Sequence, residues 1–113
     1  MILQFGNCTL DTVRDEIRRS GTIIHTWPQA LVVLRYLLEH RDRVVSRDEL
    51  FEQCWPESTV SDATLTSCLR RVRQTIGQNR TSPVMIETLH RHGYRFVAEV
   101  TELAETTLGV SDM

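Results

Sequence analysis

Between Val45 and Gly77 the chain carries two helix starts and two helix stops, separated by a loop of about five residues. In "VVSRDELFEQCWP", Ser46 and Glu49 occupy the positions of a capping box, and Val45 and Leu50 those of a hydrophobic staple. Leu50, Phe51, Cys54 and Trp55 are the predicted buried side of this short helix, and Pro56 closes it. The second helix opens at Ser61 or Asp62, and Gly77 supplies its C-terminal cap. At about 100° per residue, Leu65, Leu69, Val72 and Ile76 share one narrow arc, the predicted core face. The opposite arc holds Ala63, Ser67, Arg70, Arg71 and Gln74, with Thr64, Thr66 and Arg73 on its flanks. Two helices on so short a tether pack in few ways, and the predicted unit is a helix-turn-helix.

The flanking segments complete a small α+β domain. Residues 1–24 alternate short apolar runs with Gly6-Asn7 and Ser20-Gly21, the pattern of short antiparallel strands and tight turns. A further helix is expected from Thr26, capped by that threonine with Gln29 reaching back, and tolerating Pro28 in its first turn. Ala30, Leu31, Leu34, Leu37 and Leu38 are its predicted apolar stripe. After Gly77, "VMIETLH" and "GYRFVAEV" read as a β-hairpin over about 85–98, with His90, Arg91 and His92 near its tip. The predicted domain spans 1–100, and 101–113 reads as an acidic tail.

Charge separates these regions. Although the net charge is −2, residues 63–98 hold six arginines against the single acid Glu87, while 1–62 and 99–113 are both net acidic. All thirteen cations are arginine, a planar fork suited to phosphate or to guanine. Such a directional field bears on partner choice more than the total does. Cys8, Cys54 and Cys68 lack CxxC spacing and read as free thiols. No apolar run is long enough to span a bilayer and the N-terminus has no signal-peptide pattern, so a cytoplasmic location is expected, on the cytoplasmic side of the inner membrane if the chain is part of a membrane-anchored regulator. No phosphate loop, nucleophile elbow, metal triad or paired carboxylates point to catalysis, to a cofactor or to a small-molecule substrate. His90 and His92 share a face if both are in strand conformation, yet lack further ligands for a metal. Trp27 and Trp55 read as packing residues.

A helix-turn-helix followed by a basic hairpin can place its second helix, about 61–76, in the major groove of double-stranded DNA. Arg70 and Arg71 suit guanine; Thr64, Thr66 and Ser67 suit phosphate or the thymine methyl; Arg91 and Arg95 suit backbone or minor groove. The competing reading is a winged-helix module whose arginine face docks a protein or an RNA.

The runs "VSRDEL", "VSDATLTSCLRRVR" and "IETLHRHGYRF", in this order and spacing, resemble the DNA-binding effector domain of OmpR/PhoB-type transcription regulators, most nearly its ToxR/CadC-like branch. The resemblance covers about residues 3–99. It implies a winged helix-turn-helix with an N-terminal four-stranded antiparallel sheet, three helices and a C-terminal hairpin wing. It also implies binding to promoter DNA, by two copies on direct repeats. On matching positions Thr64, Ser67, Arg70 and Arg71 would face the major groove, and Trp55, Arg73, Thr88 and Tyr94 would lie near phosphates. Pro56, Glu57, Ser58, Thr59 and Val60 match the loop that touches RNA polymerase in this family. One departure lies in the wing: "ETLHRHGY" leaves the minor-groove position to His90 or to Arg91.

Overall fold

The computed structural model describes residues 1–103, which form two compact units, Met1–His25 with the segment from Ala98, and Thr26–Val97. In the first unit, β1 (Ile2–Phe5), β2 (Cys8–Asp11), β3 (Glu16–Arg19) and β4 (Thr22–Ile23) make the expected antiparallel meander. A fifth strand, β7 (Thr101–Leu103), pairs with β1 on the other edge, giving the order β4-β3-β2-β1-β7. Of the acidic tail predicted from residue 101, the first three residues are therefore strand, and 104–113 lie outside the described residues. The three side chains of β7 are all exposed. What recruits them is the row of unpaired backbone groups on β1, not an apolar pattern. Period-two alternation buries Leu3, Phe5, Cys8, Leu10 and Ile17 together. The β2–β3 turn is held by Asp11, whose Oδ1 accepts from the backbone N–H groups of Val13 and Arg14.

The second unit contains α1 (Pro28–Glu39), α2 (Arg47–Cys54), α3 (Asp62–Thr75) and the hairpin β5 (Ile86–Leu89) and β6 (Gly93–Phe96). The start of α1 departs from the expected cap. Trp27 is its N-cap residue, held extended at ψ 137° ahead of Pro28, and makes no side-chain capping bond. Thr26 bonds instead to the Thr75 hydroxyl, and Gln29 donates to the Cys54 carbonyl. The buried stripe of α1 is Ala30, Val33, Leu34, Leu37 and Leu38; Val33 takes the place expected for Leu31, which is half-buried.

The capped start of α2 forms in part. Ser46 Oγ accepts from the Glu49 N–H at 3.1 Å, and the staple residues Val45 and Leu50 are both buried. The Glu49 side chain, however, does not return to Ser46. It takes both guanidinium nitrogens of Arg43, one at 2.8 Å, and the Tyr36 hydroxyl, and these partners hold its carboxyl down to about 2. For α3, Ser61 is the N-cap, and Leu65, Cys68, Leu69, Val72 and Thr75 are buried with Ile76. Gly77, at φ +81°, ends the helix: its N–H bonds to the Gln74 carbonyl and that of Gln78 to Arg73, the reciprocal pattern of a Schellman cap. Gln78 then caps β5. Its Oε1 accepts from the N–H groups of Met85 and Ile86 at 2.9 and 2.8 Å, closing the loop between α3 and the hairpin. Sequence reading had no hold on this glutamine, because its partners lie in a turn-rich loop without periodicity.

Candidate nucleic-acid interface

The core arc of α3 fixes what its other side can present. With Leu65, Leu69, Val72 and Ile76 buried, Ala63, Thr64, Thr66, Ser67, Arg70 and Gln74 are exposed. The small Ala63 and Ser67 leave the first two turns low enough for close approach. Thr64 stays tied to the cap, its N–H and hydroxyl both bonded to Ser61 Oγ. Arg70 is exposed and makes no side-chain bond among the described residues.

Arg71 and Arg73 are arranged differently. Arg71 is half-buried, its guanidinium carbon 4.6 Å from the centre of the Trp27 ring. Trp27 is 45% exposed, so it is a stacking platform and not the packing residue expected from sequence. Arg73 is bound into the fold: Nη2 donates to Thr88 Oγ1 at 2.7 Å and to the Ile86 carbonyl at 3.3 Å, tying α3 to β5. Burial disfavours its charge and moves it below the ordinary arginine range. Thr88 thus accepts from Arg73, and its own hydroxyl proton points to no protein acceptor among the described residues.

The hairpin is locked to the segment before α2. Val45 and Tyr94 exchange both backbone bonds at 2.8 Å, and Tyr94 is almost fully buried. Gly93 makes this approach possible: at φ +136°, a Cβ there would lie 2.0 Å from the Val45 carbonyl oxygen. His90, Arg91 and His92 form the tip. Both histidines lie in the turn, so the face they would share in strand conformation is not formed. The His92 N–H closes the turn onto the Leu89 carbonyl at 2.9 Å, with Arg91 in the left-handed region at φ +68°. That conformation normally falls to Gly or Asn, so an exposed arginine is held there under strain. Arg95, opposite Glu87 across the hairpin, turns away from it and donates to the Arg41 carbonyl at 3.1 Å.

Trp55 ends α2 as its C-cap, half-buried and 6.2 Å from the Phe51 ring. With Trp27, Gln29, Ala63, Thr64, Ser67 and Cys68 it lines a groove of about 350 Å³ beside the first turns of α3. Pro56, Glu57, Ser58 and Thr59 are exposed and Val60 is half-buried in the loop that follows. Burial pushes the Cys54 thiol up to about 12 and that of Cys68 to about 11, so both stay protonated near neutrality.

Thr64, Ser67, Arg70 and Arg71 therefore share one surface of α3, and Arg91 and the two histidines crown the hairpin. Among the described residues, none of the six arginines of 63–98 forms an ion pair with a carboxylate. Trp27 is the element that sequence reading missed. It lies 44 positions before Arg71, and no local pattern connects the two.

The model of the C-terminal domain of transcriptional regulatory proteins matches residues 13–96. The chain is 27% identical over 105 residues to the transcriptional activator CadC of Escherichia coli, covering 92% of this chain and 20% of CadC. It is 32% identical over 98 residues to the transcriptional regulatory protein CseB of Streptomyces avermitilis, covering 86% of this chain and 40% of CseB. The DNA-binding domain of E. coli CadC superposes with a TM-score of 0.78 at 26% identity, over 88% of this chain and 94% of that one. The DNA-binding domain of Klebsiella pneumoniae RstA, in complex with the RstA box, superposes with a TM-score of 0.71 at 25% identity, over 84% and 95%. The chain thus corresponds to a minor part of the curated relatives' length and to nearly the whole of these isolated domains. It belongs to the family of C-terminal domains of transcriptional regulatory proteins.

Proposed function

We propose that this domain is the sequence-specific, double-stranded-DNA-binding part of a transcription regulator, with α3 in the major groove and the 85–98 hairpin along the backbone or minor groove. The observation that carries the reading is the row of arginines without carboxylate partners among the described residues, set on a helix whose free side is otherwise small and hydroxylic. The likeness to a domain crystallised on its DNA box supports it. In this reading Ser67, Arg70 and Arg71 read base edges and Thr64 and Thr66 lie along them. Trp55 and Thr88 offer donors to phosphates, with Thr88 oriented by Arg73. Tyr94 and Arg73 act mainly by holding the wing in place. Arg91, lifted onto the tip, takes the minor-groove role in preference to His90. The exposed loop 56–60 is the surface for RNA polymerase, and two copies sit on direct repeats. Such work takes place on the cytoplasmic side, with the DNA.

Selection of bound duplexes from random sequence tests the reading. A defined site should emerge, and log affinity should fall with log salt at about −0.9 per phosphate neutralised. A flat selection at moderate salt, together with capture of an RNA or a protein through the same arginines, would establish the docking-module reading instead.

A further inference from the structure

We infer that Trp27 is a positioning residue for base readout: its indole holds Arg71 in one orientation, and the base preference of Arg71 depends on that hold. The inference rests on the proposed DNA-binding role. Trp27 stands at the mouth of α1, and three restraints fix it there. Pro28 confines it to the extended region and starts the helix immediately after it. Thr26, the residue before it, is bonded to Thr75 at 2.8 Å. Thr75 spends its own hydroxyl proton on the Arg71 carbonyl at 2.7 Å, so Thr26 must be the donor in the first bond. The chain Thr26–Thr75–Arg71 thus clamps the backbone just before Trp27 to the turn of α3 that carries Arg71.

The side chains repeat that registry. The Arg71 guanidinium lies over the indole at 4.6 Å, and its Nε is buried without a hydrogen-bond partner among the described residues. One edge of the fork is therefore closed off, and the terminal nitrogens are the part left to meet a ligand. Neighbouring Arg70 is exposed and has no such support among the described residues. An arginine ordered before binding loses less freedom when it grips a base, and it presents its two donors at a set angle. Of the two adjacent arginines, Arg71 is the one equipped to discriminate, and Trp27 supplies the equipment.

The test compares the wild-type domain with Arg71→Ala, Trp27→Leu, Trp27→Phe and the double variant Trp27→Leu/Arg71→Ala. Each is measured on the best selected duplex and on that duplex altered at the base pair whose preference Arg71→Ala relaxes. Trp27→Leu should relax the same base pair and weaken cognate binding roughly three- to thirty-fold, the range of a partly desolvated cation–π contact. The double variant should bind no more weakly than Arg71→Ala, and Trp27→Phe should restore most of the discrimination. Unchanged discrimination in Trp27→Leu, or losses that add in the double variant, would overturn the inference while leaving DNA binding intact. A wild-type domain with no preferred duplex would instead remove the parent reading, and this inference with it. A readout without DNA covers any loss of folding in the leucine variant. In the wild-type NMR spectrum, ring current should shift the Arg71 side-chain protons upfield of their ordinary positions, and ordinary shifts there would refute the stacking outright.

Discussion

Arg14, Arg18, Arg35, Arg43 and Arg47, all within residues 1–62, lie 2.6 to 3.9 Å from carboxylates, whereas among the described residues Arg70, Arg71, Arg73, Arg80, Arg91 and Arg95 pair with none. The same side chain thus does two kinds of work. In the acidic stretch it neutralises a neighbour, as Arg43 does for Glu49 and Arg47 for Asp62, and exposed pairs of this kind contribute little to stability. In the basic stretch the guanidinium groups are stacked on Trp27, bonded to carbonyls and a hydroxyl, or left exposed, and their charge is retained. Concentrating like charge on one side costs self-repulsion, which an anionic partner relieves. A net charge of −2 conceals this division entirely.

The comparison is broken most severely through the scaffold under the basic half. Gly93→Ala sets a methyl group against the Val45 carbonyl at a residue already at φ +136°, and should cost about 3–5 kcal/mol in urea denaturation. Next in size, Arg71→Ala should remove about 1–3 kcal/mol from binding to the selected site and relax one base preference, with nearly unchanged non-specific binding. Arg43→Ala should differ in kind, lowering stability only slightly and leaving DNA affinity in place. Equal loss on every duplex for Arg71→Ala would reassign that residue to the backbone.

Arg91→Gly separates strain from function. It relieves the positive φ, so the domain should gain about 1 kcal/mol in stability while losing affinity and about 0.9 of salt slope. A variant that gained stability and kept its slope would take Arg91 out of the interface. The smallest effect concerns the paired half. The Glu49 carboxyl is held down to about 2 in the fold, below its ordinary value near 4.5. The stability it contributes is therefore complete above about 4.5 and disappears as pH falls towards 2. Denaturation midpoints across that window should show a fall that Glu49→Gln flattens.

The two halves were also unequally legible. Helix starts at Ser46 and Ser61, the stop at Gly77 and the core arc Leu65-Leu69-Val72-Ile76 are local patterns, each set by neighbours within about four residues. They place Ser67 and Arg70 outward without further help. Failures came where a partner was distant in sequence. Thr26 and Gln29 satisfy a local capping rule, yet Thr75 and the Cys54 carbonyl compete for them and win. Glu49 has the same history with Arg43 and Tyr36. His90 and His92 would share a face only in strand conformation, and the turn that removes that face depends on Arg91 accepting a conformation that its own preference opposes.

By itself the sequence determined the number and order of helices, the face that α3 turns to the core, the charge division and the hairpin that follows, because periodicity, caps and turn residues act over one or two turns of chain. Only the tertiary structure decided that Arg73 braces the wing, that Arg71 rests on Trp27 and that residues 101–103 join the sheet. Those outcomes depend on groups brought together across 13 to 101 positions, and a hydrogen-bond donor or a ring face carries no mark in the sequence of the partner it will meet.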